Sequence, residues 1–320
     1  MRNEASSDVL KVWLHAAASV LLGAWISPLL YNTGKGLAEV SEGKQTNGPL
    51  EWLACVCRTA DFPAVFAVSL LVSAAILFLP LIQWLRGGRQ PEAACGQRLR
   101  QNPLGARQAV LGFSAVTVLF LGIAGILVLA GVLVWKNPGE AVAKLALRGF
   151  SVALGLAVLQ ELLFRGIAMG IFLRAMRPAA ALGLSAVLFA LVHFLNPPLG
   201  LDVLDPDAAG TGFELLRKIA ARFSDPRVVL GVFAPLLALG GVLAYARWRT
   251  ASLWLPVGLH AGWIFVNGIL ASVTTAAGDP DSLVWLVSGP SLQQGLLPLV
   301  GIVIAGVLAA RLTAAADGPL

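Results

Sequence analysis

The chain has 320 residues, 58% of them apolar and 12% charged, with a mean hydropathy of +0.81. A soluble protein of this composition would expose far more hydrocarbon than monomers tolerate, which leaves a polytopic membrane protein: an all-α bundle occupying residues 1–320 as a single integral membrane domain. The net charge of +6 does not mark a nucleic-acid partner, because its largest concentration, Arg86, Arg89, Arg98, Arg100 and Arg107 against Glu92 alone, sits between two apolar segments as a cytosolic loop does.

Windows of about 20 apolar residues predict about eight transmembrane helices, over residues 10–31, 63–85, 109–135, 145–173, 179–195, 228–246, 252–273 and 293–311. The first follows Arg2 and Lys11 without a small-residue cleavage site after it, as a retained anchor does. Turn chemistry marks the breaks: Asn32-Thr33-Gly34, Asn137-Pro138-Gly139, Arg177-Pro178, Asn196-Pro197-Pro198, Asp225-Pro226 and Gly289-Pro290. With the five-arginine loop inside, alternation puts Arg174, Arg177, Arg247, Arg249, Arg311 and both termini in the cytosol.

The longer connections, 32–62, 196–227 and 274–292, fall on the other side. Within the second, residues 213–223 separate apolar from charged positions at helical spacing, as in a helix lying on the interface; it either closes a long loop or guides a substrate. His15 reads as an interfacial histidine. Cys55 and Cys57, separated by one residue, and Cys95 across the membrane suit neither a disulfide nor a metal site.

Chemistry begins at Gln160-Glu161-Leu162-Leu163-Phe164-Arg165-Gly166. Glu161 and Arg165 are four residues apart, on one helix face, where each lowers the other's cost of lying in hydrocarbon. A structural ion pair explains that segment alone. Two further spans carry histidines, however: Phe189-Ala190-Leu191-Val192-His193, and His260 within Ser252–Trp263. One buried histidine is ordinary; two, with a Glu-Arg pair, in three spans and in this order point to a site.

These segments resemble the CPBP family, which comprises type II CAAX prenyl proteases and bacteriocin-processing or self-immunity membrane proteins. That family is marked by Glu-Glu-x-x-x-Arg, Phe-x-x-x-His and His-x-x-x-Asn on successive membrane helices, corresponding here to residues 160–165, 189–193 and 260–264. The resemblance covers about 145–267, a CPBP-like core. It departs at two positions: Gln160 stands where the family has its first glutamate, the base that activates water, and Ile264 where an asparagine helps bind the oxyanion. An amide has no useful basicity. Asn267, seven residues after His260, lies two turns along much the same face.

The resemblance implies a metal-free, glutamate-type intramembrane endopeptidase without cofactor, cleaving a membrane-associated peptide or the tail of a membrane protein. Glu161 is then the remaining carboxylate for the base, His193 holds or polarises the water, His260 donates to the oxyanion, and Gln160, Arg165, Phe189 and Asn267 support them. The competing reading is a silent relative, a scaffold or immunity protein that keeps the helices but not hydrolysis. A zinc site of Glu161, His193 and His260 has the right ligand types, yet no His-Glu-x-x-His helix is present and Arg165 opposes a dication. A transporter lacks support, since no inverted repeat is visible. Without long polar extensions, the chain resembles a protein of the bacterial inner membrane, and nothing requires a lipidated substrate.

The four ionisable groups are expected to converge. Counted at about 1.5 Å per residue from the cytosolic ends, Glu161 lies about 18 Å deep, His193 about 21 Å and His260 about 12 Å, so convergence requires boundaries displaced by a turn or two.

Overall fold

The computed structural model describes residues 2–42, 48–86, 102–139, 141–198, 201, 203, 205–277, 292–293 and 295–314. In chain order the helices are α1 (Arg2–Ser41), α2 (Pro49–Thr59), α3 (Phe62–Arg86) and α4 (Gly105–Leu129), followed by strand β1 (Leu133–Trp135). Helix α5 (Val142–Glu161) continues through a π-helical turn (Leu162–Ala168) into α6 (Met169–Ala175), and α7 is Pro178–Phe194. Beyond α8 (Thr211–Ala221), a short turn at Pro226–Val228 and a second π turn (Val229–Phe233) lead into α9 (Ala234–Thr250). Helix α10 (Trp254–Val273), strand β2 (Thr274–Ala276) and α11 (Leu296–Ala314) complete the described elements.

Among the described residues, six helical runs are long and apolar enough to cross a membrane: Ser7–Ser41, Phe62–Leu85, Gly105–Leu129, Val142–Ala175, Pro226–Thr250 and Trp254–Val273. Two shorter apolar helices, Pro178–Phe194 and Leu296–Arg311, occupy the remaining expected segments. The protein is an all-α polytopic integral membrane protein. Asp225 caps its turn by accepting from Arg227 N at 2.9 Å, and Asn137 Oδ1 accepts from Gly139 N at 3.1 Å, so both breaks carry the chemistry their sequences promise.

Two boundaries differ from expectation. The predicted break at Asn32-Thr33-Gly34 is absent, and α1 runs on to Ser41. Tertiary contacts override the turn signal: Lys35 Nζ donates to the carbonyls of Arg58 (2.9 Å) and Ala60 (2.8 Å), closing the end of α2, and a Cβ at Gly34 would meet Cys57 Sγ at 3.2 Å. The predicted helix over 109–135 stops at Leu129 instead. Gly131 takes φ +71°, which reverses the chain, and Leu133–Trp135 pairs antiparallel with Thr274–Ala276, inside the predicted loop 274–292. Cys95, the central arginines of the predicted cytosolic loop, and Asp279 and Asp281 lie outside the described residues.

Contacts sort the chain into two compact units. One comprises residues 3–94 and 194–224. In it Gly212 lies against Ala24 O and Ser27 Oγ of α1, and within the stripe expected of residues 213–223 Leu215 and Ile219 are buried while Phe213 and Arg217 stay exposed. Phe223 and Arg222 both cover Phe194, at 4.2 Å and 4.9 Å.

The second unit comprises residues 95–193 and 225–320 and contains every motif residue. Helices α4 and α10 run parallel at glycine-only separation. A Cβ on Gly105 would enter the Trp254 ring, one on Gly258 would fall within the Ala109 carbonyl, and one on Gly262 would reach Phe113 O at 2.7 Å. Gly258 and Gly262 are four apart, the small-xxx-small spacing by which membrane helices approach closely. Around them Phe120 and Trp263 meet edge to face at 4.8 Å. Replacing Gly258 by alanine should cost about 1–3 kcal/mol or more through overpacking, and Gly268→Ala, which meets nothing within 4 Å, should cost little. Melting temperatures of the detergent-purified variants check this: equal values for the two would mean that α4 and α10 are not held by this contact.

Candidate functional site

The site is built where α5 gives way to α6. Glu161 is the last residue of α5, and Arg165 sits in the π turn that follows. Such single widened turns re-aim side chains and recur at functional positions. Arg165 Nη1 donates to Glu161 Oε1 at 3.0 Å, and its Nη2 donates to the carbonyl of Gly240 on α9 at 3.0 Å. The guanidinium also lies 4.4 Å from the Phe189 ring centre and 5.8 Å from that of Phe164. Glu161 and Arg165 are both wholly buried, at 0% exposure. A bare charge there would be prohibitive; paired, hydrogen-bonded and covered by aromatic faces, the two coexist.

The same Glu161 oxygen accepts from His260 Nδ1 on α10 at 2.7 Å. That oxygen already accepts from Arg165, so it accepts here too, and Nδ1 carries a hydrogen. His193, on α7, is fixed in the same sense by a different group: its Nδ1 lies 2.8 Å from the Phe189 carbonyl, which also only accepts. Its Nε2 faces Gln160 Oε1 at 3.4 Å, a contact that requires a proton on Nε2 or a half-turn of the amide offering its NH2 group. The rings of the two histidines are 6.4 Å apart. Phe189 stands among them, 4.0 Å from His193 and 5.5 Å from His260.

Exposure divides the cluster. Glu161, Arg165 and His260 (2% exposed) are sealed, whereas Gln160 and His193 are only half-buried and form its accessible edge. Glu161 Oε2 and Arg165 Nε have no hydrogen-bond partner among the described residues. Gln160 and His193 are thus the less buried members of the cluster.

The depth mismatch expected from helix counting has a simple origin. Glu161 is 14 residues, about 21 Å, from the end of α6, and His260 six residues, about 9 Å, from the start of α10. Since they touch, α10 begins about 12 Å deeper than α6 ends. The connection that recesses it turns at Ala251, the described non-glycine residue with positive φ (49°), and buries Ser252.

Asn267 is not brought to the histidines: about 10 Å further along α10, its Nδ2 donates to Trp263 O at 2.8 Å within its own helix. Ile264 packs on the apolar core. Gly240 escaped sequence reasoning, although its side-chain-free approach is required, since a Cβ there would meet Ala186 Cα at 3.0 Å and Phe189 Cδ1 at 3.2 Å. The Gly240-Gly241 pair inside an apolar span was the available signal. Among the described residues, no three His, Cys, Asp or Glu side chains gather as a metal set.

Removing one partner of the sealed pair should leave the other charge uncompensated, so Arg165→Ala should destabilise by roughly 3–5 kcal/mol. Combining Arg165→Leu with Glu161→Gln should recover part of that loss. Thermal melting of the single and double variants measures it, and additive losses would show that the two groups are uncoupled.

Comparison with known proteins locates the domain. Residues 142–266 match the family described as Type II CAAX prenyl endopeptidase Rce1-like, nearly the core expected from the motifs. No curated protein and no solved structure matches the chain.

Proposed function

With residues 142–266 matching the type II CAAX prenyl endopeptidase Rce1-like family, we propose that the protein is an intramembrane endopeptidase whose water is activated by His193 rather than by a glutamate. The observation that carries this reading is the division of exposure: the half-buried pair Gln160 and His193 is reachable, and Glu161 is sealed between Arg165 and His260. The Phe189 carbonyl holds His193 Nδ1–H, which leaves Nε2 as the proton acceptor. Gln160 orients the water or the substrate carbonyl beside it.

Hydrolysis then proceeds in balance. Water oxygen adds to the peptide carbonyl carbon as its proton passes to His193 Nε2; the C–N bond breaks, and the same proton leaves on the new amine. His260, as imidazolium, donates Nε2–H to the oxyanion, and Glu161 holds its Nδ1–H and offsets its charge. Arg165 holds Glu161 in place. The catalytic groups in this proposal are His193 and His260; Glu161, Arg165, Phe189 and Gln160 position them.

The substrate is a membrane-associated peptide or protein tail, reached in a bacterial inner membrane with both termini of the protein in the cytosol. A second reading is favoured by one residue: the amide of Gln160, in the place of the family's base, suits a relative that binds such tails without cutting them.

A fluorogenic membrane peptide assayed in vesicles separates the two. His193→Ala should lower turnover by about 10²–10⁴-fold while the protein still accumulates, Gln160→Ala should have a small effect, and Gln160→Glu should raise turnover. Wild-type protein that binds the peptide but releases no product, with cleavage appearing only in Gln160→Glu, would establish the silent reading instead.

A further inference from the structure

Arg165 and Arg247 are the two largest fully buried side chains among the described residues. Arg165 has a carboxylate, a carbonyl and two aromatic rings around it. Arg247, 1% exposed in the last turn of α9, has no ion pair among the described residues, and its Nε has no hydrogen-bond partner. The described carboxylates of this unit are Glu161, already held by Arg165 and His260, and Asp225, 22 residues and about 33 Å away along the α9 run. The α9 carbonyl ends contribute partial charge only. A buried guanidinium needs a full counter-charge, and the described part of this unit does not supply it.

We infer that Arg247 is the floor of a site for the phosphate of an anionic phospholipid. Its depth supports a lipid. Gly295 meets Gly231, and a Cβ at Gly306 would meet Val242, so α11 runs parallel to α9 at an offset of 64 residues in both places (295 − 231 and 306 − 242). Carried on, that offset brings exposed Arg311 level with Arg247. Exposed Arg249 and Arg107 share this end, since Gly105 of α4 abuts Trp254 just past α9. Tyr245 and half-exposed Trp248, their rings 6.1 Å apart, are the amphipathic aromatics of a headgroup layer. Val300, Val303 and Val307 on α11 are turned outward, as toward acyl chains. Basic side chains gathered between membrane helices at headgroup depth are the arrangement that recognises anionic lipid.

Native mass spectrometry of the full-length protein released from mixed phosphatidylglycerol and phosphatidylcholine of matched chains tests this. The wild type should retain one phosphatidylglycerol per chain with a preference of about fivefold to tenfold; Arg247→Gln should lose the preference and Arg249→Gln should keep it. Should Arg247→Gln fail to fold, Arg247→Lys, which keeps the charge without the fork, should retain the lipid more weakly. Equal retention of both lipids by the wild type overturns the inference. So does an equal rise in melting temperature from inorganic phosphate alone, which would identify a soluble anion, or displacement of the lipid by a short peptide with a free but not an amidated C-terminus, which would make this a substrate contact.

Discussion

A carboxylate removed from water must be neutralised by a partner that stays beside it, and around Glu161 that requirement organises three helical segments at once. Arg165 answers it from the next turn of the same run, and then needs its own remaining donor satisfied by Gly240 O on α9. His260 answers it from α10. Each bond is short and sealed, so the relative heights of these segments follow from one anion rather than from their lengths. The recessed start of α10 is the visible result.

The aromatic ring of Phe189 does a related job for the cations. It lies over the Arg165 guanidinium and against both imidazoles, and its backbone carbonyl takes the His193 hydrogen. One residue thereby covers a charge, spaces two rings and sets a tautomer. The close approach of α9 at Gly240 is what leaves room for it.

Much of this was legible in the chain. Apolar windows located the helices, and the i, i+4 spacing of Glu161 and Arg165 gave their pairing, because both depend on local periodicity. The continuation of α1 through Asn32-Thr33-Gly34 was not legible, since α2 stabilises it across a turn-like sequence. Nor was the β1–β2 ribbon, whose partners are about 140 residues apart. The exposure of Gln160 and His193 against the burial of Glu161 depends on how α5, α7 and α10 pack, which no single segment encodes. Motif reading put the base on the carboxylate that remained; the role proposed for His193 rests instead on its being the less buried imidazole.

The glycine contact between α4 and α10 has a consequence for how the protein is made. Gly105 and Trp254 are 149 residues apart (254 − 105), yet they lie in direct contact. At about 5–20 residues synthesised per second, α4 enters the bilayer roughly 7–30 s before its partner exists. During that interval its narrow glycine face is bare to lipid, and α5 to α9 must insert without closing over it. The late arrival of α10 completes that face and delivers His260 to Glu161 in the same movement, so the buried polar cluster is assembled only once most of the chain has been synthesised.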